Sequence, residues 1–158
     1  MMRSAITLVL ALLFALPVSA QSVMPREGWQ VINTEQSYSE LLASLRRAVS
    51  EEGMAVVTDV GPTETAAQRG ETIPGNRVLG VFRNDFAVRA VRASVPAMIE
   101  APIRFYVTED EDGTATLSWK KPTHVFAPYR ESGGAELTAI AEELDRIFES
   151  IGNAATRR

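Results

Sequence analysis

The residues with the most scope for chemistry lie between Arg83 and Tyr129. His124 is the single imidazole, and it follows Pro122 beside Val125, Phe126 and Tyr129. An imidazole can act as a general base near neutral pH or ligate a cofactor. A catalytic histidine also needs a nucleophile and an orienting carboxylate, and no such trio is spaced around this one. An ordinary packed or surface histidine on a short turn is the plainer reading. Arg83, Arg89 and Arg92 cluster about a short amphipathic segment, with Arg89 and Arg92 three apart and so on one helical face. Together with Asn84 and the N–H groups of a helix start they could hold an anion or carboxylate. Asp85 opposes this by its own charge, and a solvated basic face is the default. Trp119, Phe126 and Tyr129 add aromatic surface of the kind that serves core or dimer-interface packing more often than a ligand cage.

Metal and phosphate chemistry find little support. The run Glu109-Asp110-Glu111-Asp112-Gly113 invites a calcium loop. Placing Gly113 at the sixth position of such a loop puts Thr108 first and Trp119 twelfth, where a carboxylate is required. The run therefore reads as a solvated hairpin tip. The chain has no cysteine, so thiolate zinc sites, disulfides and thiol chemistry are absent. Neither the dinucleotide-binding glycine pattern nor the phosphate-loop pattern occurs. No metal and no cofactor is expected.

The elements that must position these residues follow from periodicity. Trp29 to Asn33 alternates as a short strand. Ser37-Tyr38-Ser39-Glu40 is a capping box opening a helix over 37–52, whose apolar stripe is Tyr38, Leu41, Leu42, Leu45, Ala48 and Val49 and whose stop is Gly53. Met54 to Val60 is a strand, Pro62 to about Gly70 a short helix, and Val78 to Phe82 a buried strand. Asp85 is placed to cap a helix from Phe86 to about Ser94, limited by Pro96. Ile103, Phe105 and Val107, and then Ala115, Leu117 and Trp119, each alternate with polar residues. Only a three-residue loop, Glu111-Asp112-Gly113, puts both apolar sets on one side. It pairs Val107 with Leu117 and Phe105 with Trp119, and requires Gly113 to be left-handed in a bulge. Leu137, Ile140, Ala141, Leu144, Ile147, Phe148 and Ile151 form a second long stripe, over 135–151, ended by Gly152. The order is β-α-β-α-β-α-β-β-α. It predicts a single α+β domain with a mixed, mostly antiparallel sheet and the two long helices on one face, burying their stripes against Val56, Val81, Phe105, Val107 and Leu117.

The N-terminus reads as an address. Arg3 precedes an uncharged apolar run from Ala5 to Leu16. Pro17 breaks the run, and Val18-Ser19-Ala20 offers small residues where a signal peptidase cuts. The run is shorter than the roughly 20 residues of a membrane-spanning helix, so no stable membrane insertion is expected after cleavage. The plan is a signal peptide over 1–20, an N-terminal segment over 21–36 with the first strand, one domain over 37–152 and a frayed tail over 153–158. The formal charge is −4, and losing Arg3 makes the mature chain more acidic. Nucleic acid and anionic lipid surfaces are poor partners for such a chain. The absence of an Asn-x-Ser/Thr acceptor points to a bacterial envelope, and to the periplasm ahead of full secretion.

Several of these features occur together in one family. The element order, with Phe82-Arg83-Asn84, Ala101-Pro102-Ile103, the acidic-Gly hairpin at 109–113, Lys121-Pro122 and Tyr129, resembles the domain of unknown function 302 family. That family shows a Phe-Gly-Asn-Pro turn, a Leu-Pro-Leu lead into a strand, an acidic-Gly hairpin and an Asn-Pro step. The likeness spans about Ser37 to Ile151. Here Arg83 replaces the turn glycine and Asp85 the proline. The resemblance implies a compact α+β homodimer and no established reaction.

Three functions stay open. The first is a non-enzymatic exported module that binds a small molecule or an envelope protein, with Arg83, Asn84, Arg89, His124 and Tyr129 as candidate ligand contacts. The second is a hydrolytic or other enzyme using a cleft around His124 and Arg83, with Tyr129. The third is a structural or stress-related envelope protein. The first is favoured, because no nucleophile motif, metal cluster or cofactor fingerprint supports the second.

Overall fold

A computed structural model describes residues 23–157, so the expected signal peptide lies outside the described residues. The elements run β1 (Trp29–Ser37), α1 (Tyr38–Glu51), β2 (Ala55–Val60), α2 (Thr63–Gln68), β3 (Asn76–Phe82) and α3 (Asn84–Ala93). A 3-10 turn (Val95–Glu100), β4 (Ile103–Glu109), β5 (Thr114–Lys120), α4 (Pro122–Val125), a second 3-10 turn (Ala127–Tyr129) and α5 (Arg130–Thr156) complete the chain. The Ser37 capping box is present as read, with Ser37 N donating to Glu40 Oε2 at 2.8 Å. The α3 cap differs. Arg83 occupies the N-cap with extended backbone and the helix starts at Asn84, because Asp85 turns back to bind the Arg83 guanidinium instead of capping.

The strands form one sheet in the order β1-β5-β4-β3-β2, and every pairing is antiparallel. The β1-α1-β2 unit does carry two strands running the same way. They sit at opposite edges with three strands between them, so the parallel pairing of a mixed sheet never forms.

The β4–β5 hairpin has the expected register, Phe105 opposite Trp119 and Val107 opposite Leu117. Gly113 has φ 83° and donates to the Asp110 carbonyl at 3.0 Å. A Cβ there meets open space, so the cost of a side chain is backbone conformation alone. Gly113→Ala should lower unfolding stability by about 1–2 kcal/mol in urea, without changing the hairpin register.

The core lies between the sheet and two helices. Leu41, Leu45 and Val49 of α1 and Leu137, Ile140, Phe148 and Ile151 of α5 are fully or almost fully buried, as are Leu79, Val81, Phe105, Val107 and Leu117 beneath them. Val56 and Ile147 are only partly buried at its margin. Phe105 stacks on Phe148 with centroids 4.6 Å apart and meets Trp119 edge-on at 5.3 Å.

Helix α5 departs from expectation at its end. Gly134, with φ 58°, breaks the regular helix just before the predicted start. Gly152 does not stop it, however, and the helix runs on to Thr156. Gly152 is buried against the indole of Trp119, where a Cβ would sit 2.8 Å from Cζ3. Of the residues read as a frayed tail, those to Thr156 are helical, with Ala155 fully buried and its carbonyl accepting from Gln36 Nε2 at 2.9 Å. That bond supplies one of the carbonyl partners a helix end lacks. No helix among the described residues is long and apolar enough to cross a membrane.

Candidate functional site

The five residues singled out in the sequence fall in three places. Arg83 and Arg89 lie along α3, and both are occupied by acids. Arg83 Nε and Nη2 donate to the two oxygens of Asp85 at 2.8 and 3.1 Å, and its guanidinium lies 4.3 Å over the Phe86 ring. Arg89 Nη1 and Nη2 donate to Glu143 at 2.8 and 3.0 Å, and Nε reaches Glu136 at 3.0 Å. Asn84 is exposed at the first turn. These arginines fasten α3 to itself and to α5, and their charge is spent on carboxylates.

The fastening leaves a pH signature. The hydrogen bond from Arg89 holds the Glu143 carboxyl below its ordinary value, and that from Arg83 does the same for Asp85. A depressed carboxylate stabilises the fold above its unfolded pKa and loses that contribution as pH falls through the folded pKa. Arg89→Gln should therefore begin acid unfolding at higher pH than the wild type. The two should converge once Glu143 is protonated, below the usual carboxylate range. Circular dichroism against pH checks it.

His124 is exposed on α4, and its ring lies against Gly28, where an added Cβ would come 2.7 Å from Cδ2. No hydrogen bond or ion pair among the described residues engages the ring. Asp145, the acid nearby in the fold, accepts instead from Thr123 N at 2.9 Å and Thr123 Oγ1 at 2.7 Å. His124→Ala should change stability by less than about 0.5 kcal/mol, read in urea. Tyr129 donates its hydroxyl to Glu100 Oε1 at 2.7 Å, and that bond raises its pKa.

Two hollows accompany these residues. One is an apolar cavity of about 40 Å³ between α3, α5 and the sheet, lined by Met54, Phe86, Met98, Phe126 and Phe148 with Arg83 at its margin. It is far below the roughly 300–1,000 Å³ of a ligand site. The other is a trough of about 470 Å³, inside that range. It lies mainly on the side of the sheet turned away from α1 and α5, and Ile103, Trp119 and Val125 of α4 also border it. Strand alternation explains its chemistry. With Phe105, Val107, Leu117 and Trp119 committed to the core, Arg104, Tyr106, Ser118 and Lys120 must face the other way. Trp29 pairs with Lys120 and joins them.

The trough is lined by Trp29, Val78, Glu100, Arg104, Tyr106 and Lys120, among others. Arg26 and Lys120 approach the Trp29 ring to 5.0 and 5.7 Å, within cation–π range. Arg46, Arg77, Arg83 and Arg89 all hold carboxylates. Arg104 and Lys120, both exposed, form no ion pair among the described residues. The trough thus carries two cations that no carboxylate among the described residues holds, one of them, Lys120, beside its indole.

Sequence reasoning passed over Trp29, Arg104, Tyr106 and Lys120 as strand and solvent-face residues. The signal was present in the predicted hairpin register, which sets Arg104 and Lys120 one step beyond the Phe105–Trp119 pair. What sequence did not show is that β1 lies beside β5 and brings Trp29 to them. Of the predicted residues, Tyr129 bonds Glu100 of the trough lining, and His124 lies outside that lining, against Gly28.

An α+β domain of one antiparallel sheet backed by two long helices, with a ligand-sized trough on the far side, is the class these features define. The family model described as "Domain of unknown function DUF302" matches residues 30–151, and the chain belongs to that family. Its fold is also that of a crystal structure of an uncharacterized conserved DUF302 protein from Bacillus stearothermophilus. The TM-score is 0.72 at 18% identity, covering 84% of this chain and 100% of that one. No curated protein matches the chain.

Proposed function

We propose that the protein is an exported, non-enzymatic module of the bacterial envelope that holds a small ligand in the trough on the side of its sheet turned away from α1 and α5. The observation that carries this reading is the trough itself: ligand-sized, floored by strands and lined by an indole, a phenol, one carboxylate and two cations that form no ion pair among the described residues. The charged start, apolar run and small-residue cut site at 1–20 support export to the periplasm. A catalytic role for His124 would need an acid at its ring, and its surroundings offer the Gly28 backbone instead.

The test is an NMR titration of the exported protein with the low-molecular-weight fraction of a periplasmic extract. Resonances of Trp29, Tyr106 and Lys120 should shift saturably while the extract's components persist. Shifts centred on His124 and Arg83 with consumption of a component would support an enzyme. An unchanged spectrum would support the structural reading.

A further inference from the structure

We infer that the ligand is a singly charged organic oxyanion, such as a carboxylate, with a flat apolar body: the anionic group binds Arg104 and Lys120, and the body lies on Trp29. The inference rests on the trough being the binding site and concerns what it selects. Charge comes first. Arg104 and Lys120 line the trough and form no ion pair among the described residues, and a planar guanidinium favours a two-oxygen acceptor. Shape comes next, because Val78 and the Trp29 indole, with Arg26 and Lys120 beside its ring, give the lining its apolar part.

The hydrogen-bonding groups agree, and independently of the charges. The Tyr106 oxygen accepts from Asn76 Nδ2 at 2.6 Å, which leaves its own proton to donate. The unspent groups are therefore donors, matching an acceptor-rich anion. Glu100 sets the limit on charge: its carboxylate lines the same trough and repels a second negative group, so a monoanion is preferred to a dianion.

The experiment titrates protein expressed from the full reading frame with three matched probes: naphthalene-2-carboxylate, naphthalene-2-carboxamide and naphthalen-2-ylmethylammonium. It follows the Trp29 indole N–H and the Tyr106 and Lys120 amides by NMR, in wild type and in Arg104→Gln/Lys120→Gln. Both substituted residues are exposed, so the variant should fold, and its amide spectrum shows whether it has. The carboxylate should bind at least about tenfold more tightly than the carboxamide, and the double variant should remove that preference. Equal binding of carboxamide or ammonium, or carboxylate binding that survives in the double variant, overturns the ligand class and leaves the trough as a site. No shift at Trp29, Tyr106 or Lys120 with any probe overturns the site reading as well.

Discussion

Phe148→Ala should cost about 3–5 kcal/mol of unfolding free energy. The ring is fully buried, stacked on Phe105, which in turn meets Trp119. Removing it deletes the α5 end of an aromatic row that runs through Phe105 of β4 to Trp119 of β5. The space left behind will not collapse readily, because Phe148 already lines the 40 Å³ apolar cavity under α3. The new void merges with the old one, which places the effect at the upper end of the range. A domain of this size has about 5–15 kcal/mol in all, so the variant should be markedly less stable. Equilibrium urea unfolding measures it, and a loss under about 1 kcal/mol would remove α5 from the core.

Gly152→Val should cost about 1–3 kcal/mol, although it replaces a poor helix former. The added Cβ meets the rigid indole of Trp119, which is itself buried and packed on Phe105, so neither partner can move away freely. Gly152 serves close approach, as its burial at the helix–sheet contact indicates. Gly152 is not among the positive-φ glycines, so no helix-stop strain adds to this cost. The urea midpoint at constant slope measures it, and a change under about 0.5 kcal/mol would contradict the close packing.

Gly152 also shows where sequence reading reaches its limit. A glycine after an apolar stripe has two physical uses, termination and close packing, and the choice depends on the neighbour across the gap. That neighbour, Trp119, is 33 positions away along the chain and cannot be assigned from local pattern. Features set within a few residues were legible: the Ser37–Glu40 capping box, both leucine-rich stripes, and the β4–β5 register forced by Gly113. The hairpin register followed because one residue of slip would turn an entire apolar set outward.

The candidate site was less legible for the same reason. Arg83 and Arg89 looked available by spacing, yet Asp85, Glu136 and Glu143 occupy them, two of those acids coming from a helix nearly fifty residues on. His124 looked chemical by type, yet it rests on Gly28. The residues that line the trough looked ordinary, because each is the polar half of an alternating strand. Only the order β1-β5-β4-β3, closed by an N-terminal strand docking beside the C-terminal hairpin, gathers Trp29, Arg104, Tyr106 and Lys120. Long-range strand order is the piece of information a local pattern lacks.

Native mass spectrometry of the protein isolated gently from the envelope of the cell that makes it bears most directly on the binding role proposed for the trough. A chain starting at Gln21 and carrying an added small mass, absent from the Arg104→Gln/Lys120→Gln variant prepared alongside, is the predicted result. An unadorned polypeptide in both preparations would contradict it.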